Sequence, residues 1–157
     1  MKNWYLIKTK PRQENIAKQN LENQSYLIFC PIAKMNNKLV VLFPGYLFIQ
    51  LNTMTQNWSP INSTKGVSYF VKFGLNFAKV PTSIIKFIKT NQHITTEKLI
   101  NLNKFKSGDK VQISDGVFKN YMAIFKCYKS DERVILFMKL LGNEQSLSFK
   151  KELVMAL

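Results

Sequence analysis

The residue types from which active sites are built are scarce in this chain and badly spaced. There is one histidine, His93, in the polar run Asn91-Gln92-His93 at an expected helix end, where a solvated or dipole-facing imidazole is the ordinary outcome. The nine acidic residues are scattered singly except Asp131-Glu132, which reads as a turn. Cys30 and Cys127 lie far apart without CxxC spacing, so neither metal nor disulfide framework is indicated, and a reducing, cytoplasmic compartment is expected. No GxxxxGKS/T, GxGxxG or GxSxG pattern occurs. No enzyme activity, cofactor or metal is expected.

Binding chemistry is better represented. The chain has 23 Lys and Arg against 9 acidic residues, a net charge of +14, and its first 97 residues carry 12 against 3, a net +9. An excess that large calls for a polyanion, and nucleic acid fits better than a membrane because no basic amphipathic helix is evident. Lys8, Lys10, Arg12, Lys18, Lys65 and Lys72 interleave with Tyr5, Tyr69 and Phe73. Phosphates would supply the affinity, while glutamine and asparagine amides read base edges.

The elements that must position these groups follow from periodicity. An apolar fraction of 46% with 20% charged residues is globular. Asn3–Lys8 reads as a strand, with Trp4 and Leu6 on one face and Tyr5 and Ile7 on the other. A helix is expected from Pro11 to about Asn23, burying Ala17 and Leu21 and carrying Gln13, Asn20 and Gln24 on the neighbouring polar stripe. A strand over about residues 26–32 ends near Cys30-Pro31, and Met35-Asn36-Asn37 makes a loop or hairpin tip. Ser83 is the expected N-cap of a helix that buries Ile84, Ile85 and Ile88. No secretory signal is expected, because Met1–Lys8 returns to charge too soon.

Leu39–Leu51 organises the rest. Two apolar runs flank Pro44-Gly45, which reads as strand, bend, strand. Leu47, Ile49 and Leu51 fall on a core face, whereas Tyr46 and Phe48 fall on the other and must be covered, either by a helix of the same domain or by another protein. Near the C-terminus, turn dipeptides bracket the short strand Lys110–Ile113, and the apolar runs 121–129 and 133–141 suggest a small barrel, although 135–141 is equally compatible with a buried helix.

Phe43-Pro44-Gly45-Tyr46-Leu47-Phe48 resembles the signature strand of the NusG family of transcription elongation factors. Trp4-Tyr5, Thr64-Lys65-Gly66-Val67 with Phe70-Val71, and Gly108-Asp109-Lys110-Val111 with Asp115-Gly116 (the start of a KOW module) resemble it too, in the family's order and nearly end to end. Phe70-Val71-Lys72-Phe73-Gly74, Ala123-Ile124-Phe125 and Arg133 resemble the specialised RfaH-like branch.

The resemblance implies an α+β chain. An NGN-like domain, residues 1–97, would have an antiparallel sheet with flanking helices. A linker, 98–104, would lead to a KOW-like module, 105–157, as a β-barrel or a helical hairpin. It places Phe43, Pro44, Tyr46 and Phe48 against the clamp helices of RNA polymerase, and Lys10, Gln13, Asn20, Gln24, Thr64 and Lys65 on the non-template strand of the transcription bubble. Such a factor suppresses pausing and termination, and its C-terminal module can couple to translation through a small-subunit ribosomal protein. Phe125, Arg133, Leu136, Phe137, Leu140 and Leu141 would form a switch that rests as a hairpin over Phe43, Tyr46 and Phe48. The chain departs from the RfaH-like pattern at Ile16 (arginine), Asn20 (histidine), Val40 (glutamate facing Arg133) and Asn57-Trp58-Ser59 (His-Thr-Thr). A monomer without membrane association is expected. The other function class open to these residues is a KOW-containing RNA-binding or ribosome-associated protein that does not bind polymerase.

Overall fold

A computed structural model describes residues 1–35, 37–91, 123–125, 127 and 129–142. The chain divides into two compact units, Met1–Ala33 with Val40–His93, and Lys34–Leu39 with Ile94–Leu157. The expected linker, His93 and the strand at Lys110–Ile113 lie outside the described residues.

The first unit is built on β1, Asn3–Thr9. It runs antiparallel to β5, Tyr46–Leu51, from Asn3 opposite Leu51 to Lys8 opposite Tyr46. Its other edge is shared by β6, Val67–Phe70, and β9, Lys79–Val80. β2, Leu27–Phe29, joins the outer edge of β5, giving a five-stranded antiparallel sheet of order β2-β5-β1-β6 with β9 beside β1. Two separate two-stranded sheets are also formed, β3 (Ile32–Met35) with β4 (Lys38–Val41) and β7 (Lys72–Phe73) with β8 (Asn76–Phe77). The helices are α1, Glu14–Glu22, and α2, Thr82–Asn91, with a 3-10 turn at Ser59–Ser63. The α+β class with an antiparallel sheet is as expected.

Strand β1 is paired on both edges and covered on both faces, so Trp4, Tyr5, Leu6 and Ile7 are all buried. Tyr5, Ile7, Leu47, Ile49 and Leu51 pack with Ala17 and Leu21 of α1, Ile61 of the 3-10 turn and Phe70 in one core. Trp4 and Leu6 face the other way, where Ile84, Ile85 and Ile88 of α2 are buried and the Lys89 ammonium lies 5.1 Å from the centres of both the Trp4 and Phe29 rings. Lysine stems cover aromatic surface in this way while the charge stays near water.

Several elements differ from the sequence expectation. Helix α1 starts at Glu14, because Arg12 takes the left-handed region (φ 60°) and the Gln13 N–H donates to the Lys10 carbonyl at 3.0 Å, turning Lys10–Gln13 before the helix begins. Ser25 (φ 68°) marks a second left-handed turn just past its end. The strand expected over 26–32 is broken at Cys30-Pro31 into β2 and β3. Helix α2 starts at Thr82, not after Ser83, since the Pro81 carbonyl already accepts the Ile84 and Ile85 N–H groups. The polar segment before β6 forms only the 3-10 turn.

In the second unit, Ser130–Gly142 is a helix, α3. The Asp131-Glu132 turn is therefore corrected: both carboxylates sit in the helix's first turn, where the N-terminal dipole favours negative charge. The run 135–141 takes its helical alternative.

Gly66 fixes how the loop before β6 meets α1. Its φ is +93°, and a Cβ there would stand 2.6 Å from the Ala17 nitrogen and 2.9 Å from the Ala17 Cα. Gly66→Ala is expected to cost about 3 kcal/mol or more through strain and overpacking. That should lower the thermal midpoint by more than about 10 °C. A midpoint unchanged within 2 °C or so would show that the close approach is not needed.

Candidate nucleic-acid and docking surfaces

The polar stripe of α1 and the loop Thr64–Gly66 form one surface. The Lys10 N–H donates to the Gly66 carbonyl at 2.9 Å, which sets the exposed Lys10 and Lys65 close along the chain path. Gln24 Nε2 donates to Thr64 Oγ1 at 2.9 Å and to the Asn20 carbonyl at 3.1 Å, and Asn20 Nδ2 donates to the Ile16 carbonyl at 2.8 Å. The Thr64 hydroxyl donates in turn to the Pro60 carbonyl at 2.9 Å.

Thr64 is thus buried and engaged as both donor and acceptor, so it braces the loop against Gln24 rather than reaching outward. Gln13 sits half-buried at the N-cap of α1, and Lys10, Gln24 and Lys65 are exposed. Gln24 commits both Nε2 hydrogens internally, leaving its carbonyl oxygen as the group that can accept from an exocyclic amine of adenine or cytosine, while Asn20 Nδ2 commits one hydrogen to the Ile16 carbonyl.

On the opposite face of the sheet, the Phe43–Tyr46 turn closes with the Tyr46 N–H on the Phe43 carbonyl at 3.1 Å and Gly45 at φ +84°. Gly45 is held on both sides: its carbonyl accepts the Thr9 N–H at 2.8 Å, and its N–H donates to Glu14 Oε1 at 2.8 Å. Glu14 was not anticipated from sequence; an acidic residue in a first helical turn is too common to single out a tertiary contact. Phe43 and Phe48 are 1% and 0% exposed, their rings 6.0 Å apart, with Phe29 5.8 Å from Phe48. Pro44 and Tyr46 keep partial exposure. The Lys8 ammonium lies 4.3 Å from the centre of the Tyr46 ring, and burial, then the neighbouring Tyr69, pushes the Tyr46 phenol above its ordinary pKa.

At Asn57-Trp58-Ser59 the backbone is well fastened: the Asn57 carbonyl accepts the Tyr26 hydroxyl at 2.6 Å, and Asn57 Oδ1 accepts the Ser59 N–H at 3.0 Å. Trp58 stands edge-on to Phe77, 4.9 Å between centres, and stays 38% exposed. In the second unit, α3 buries Arg133, Phe137, Leu140 and Leu141 and leaves Leu136 half-buried, while Phe125 is buried nearby in sequence. Arg133 Nη1 donates to the Cys127 carbonyl at 3.0 Å. Burial lowers the guanidinium's pKa, with Cys127 and Asp131 acting in opposition.

Residues 2–89, which include both surfaces of the first unit, match the family model described as NusG, transcription termination factor. The chain belongs to the NusG family. The transcription termination/antitermination protein NusG of Chlamydia trachomatis is 24% identical, over 90% of this chain and 87% of that protein. The Bacillus subtilis protein of the same description is 25% identical, over 91% and 92%. A solved structure concerned with domain interaction in Thermotoga maritima NusG aligns with a TM-score of 0.48 at 22% identity, covering 74% of this chain and 67% of that one. This NusG-family chain is accordingly a transcription factor of the termination/antitermination type. Among the described residues no group of three or more His, Cys, Asp or Glu is placed to hold a metal, and no helix is long and apolar enough to cross a membrane.

Cys30 reports on the packing of α1. Burial, then Glu14, push its thiol up to about 11, with Lys18 opposing. Against an ordinary thiol near 9.0, the thiolate fraction at pH 8 falls by about 100-fold. Iodoacetamide followed by site-resolved mass spectrometry should therefore modify Cys30 far more slowly in the folded chain than in urea. The raised value means the contribution to stability is complete below pH 9 and is lost as pH rises toward 11. Equal labelling rates in the two states would contradict the buried thiol.

Proposed function

We propose that this NusG-family protein is an RfaH-like elongation and antitermination factor. It docks on the clamp helices of RNA polymerase through the Phe43–Phe48 face and lays α1 with the Thr64–Gly66 loop on the non-template strand. Binding alone would suppress pausing and termination, and no bond is made or broken. The observation that carries this reading is the seating of Gly66 against Ala17 of α1 and of Thr64 against Gln24, which gathers exposed Lys10, Lys65 and Gln24 into one basic, amide-bearing surface. It lies on the face of the sheet away from Tyr46 and Phe48, so polymerase and DNA would not compete. The helix at Ser130–Gly142 supports the RfaH-like branch, since a resting hairpin needs helix where a barrel needs strand.

On the nucleic-acid side, Lys10→Ala and Lys65→Ala are expected to weaken binding to bubble DNA across sequences and to make the salt slope shallower by about one unit per lost phosphate contact. Gln13→Ala should instead change the preference between sequences. A uniform loss, with preference intact, would remove Gln13 from readout.

On the polymerase side, Tyr46→Ala should weaken binding by more than about 2 kcal/mol while the melting temperature barely moves. Phe48→Ala, at a fully buried ring, should cost about 3–5 kcal/mol of stability instead. Tyr46→Ala binding like the parent would sink the docking assignment.

A further inference from the structure

Three side chains stand in one row across three strands on the sheet face opposite α1. Lys8 of β1 is registered with Tyr46 of β5 on one side and Tyr69 of β6 on the other. Directly opposed residues in antiparallel strands hold their Cβ atoms about 4.5–5.5 Å apart, so Lys8 has a tyrosine on the neighbouring strand to either side, with the β1–β6 register shifting just after it. The Tyr46 ring braces it at 4.3 Å, and Gly45 leaves it room: a Cβ on Gly45 would come within 2.6 Å of Lys8 Nζ. Among the described residues the ion pair found is Lys18 with Glu22, and Glu14 turns Oε1 to the Gly45 N–H. Lys8 thus holds a fixed charge without a carboxylate partner within ion-pair distance among the described residues. The row is also the accessible end of its face: Tyr69 is 51% exposed and Lys8 and Tyr46 partly so, beside fully buried Phe43 and Phe48.

We propose that Tyr46, Lys8 and Tyr69 form an anion seat that accepts an aspartate or glutamate side chain of the protein docking on this face. The inference rests on the docking reading and names the chemistry its partner must present there. An ammonium braced by a ring, with a second tyrosine on the adjacent strand, suits a carboxylate, because charge-assisted hydrogen bonds are the stronger ones and little side-chain freedom remains to be lost. A protein carboxylate is favoured over a phosphate because the seat shares Tyr46 with the aromatic face, whereas the Lys10, Lys65 and Gln24 surface lies with α1 on the other side of the sheet. A charge at the accessible edge of a largely apolar patch acts on encounter more than on residence, so the seat engages first.

The test uses the full-length chain with core RNA polymerase, association being followed at low and high salt, and bubble DNA alone as a second ligand. Lys8→Met should slow association with polymerase about threefold and Lys8→Glu about tenfold at low salt, with the difference shrinking at high salt. Tyr69→Phe should show a smaller slowing, and none of these variants should change DNA affinity or melt more than a few degrees early. Lys8 and Tyr69 variants that associate like the parent would overturn the seat alone. A loss confined to DNA would assign the row to phosphate and overturn the carboxylate. A parent chain that does not bind polymerase at all overturns the docking reading, and the seat with it.

Discussion

Alternation along β1 is the constraint on which the rest depends. Side chains leave a strand to opposite faces in turn, and β1 is hydrogen-bonded on both edges, so neither face can slip relative to its neighbours. Tyr5 and Ile7 commit one face to α1 and the loop that α1 holds; Trp4, Leu6 and Lys8 commit the other to Phe48, Tyr46 and α2. A shift of one residue between β1 and β5 would exchange Lys8 for a buried apolar group and mix the two surfaces.

The faces are separate but mechanically joined. Glu14, at the start of α1, reaches the N–H of Gly45 in the turn that ends in Tyr46, and Thr9 of β1 holds the same glycine from its carbonyl side. This bond links α1, which bears Asn20 and has Gln13 and Gln24 just beyond its ends, to the aromatic turn. Whatever sets the position of α1 therefore also sets the orientation of the Phe43–Tyr46 bend.

Much of this was legible in the sequence because single residues announced it. Alternating Leu47, Ile49 and Leu51 gave the core face, Pro44-Gly45 the bend, and Ile84, Ile85 and Ile88 the buried side of α2. The failures share a cause, which is a backbone group doing work that a side chain was expected to do. The Pro81 carbonyl starts α2 without Ser83, and Val71, between β6 and β7, bonds Leu6 and Ala78 through its own backbone. Thr64 is singled out by sequence as a contact residue, whereas the structure turns its hydroxyl inward. Only the placement of Pro60 and Gln24 around it shows that its hydroxyl is spent inside the protein. Residues 135–141 were ambiguous because so short an apolar run satisfies either period; the acidic first turn at Asp131-Glu132 is what favours the helix.

Helix α1 lies between two residues in the left-handed region, Arg12 and Ser25, so its length is clamped at both ends. Each residue added to a helix rotates everything beyond it by about 100°. An insertion between these stops would swing Asn20 and Gln24 away from Thr64 and drive a larger side chain into the place Ala17 keeps beside Gly66. The segment from Arg12 to Ser25 therefore behaves as a fixed-length ruler that tolerates exchange of residue types but not of residue number.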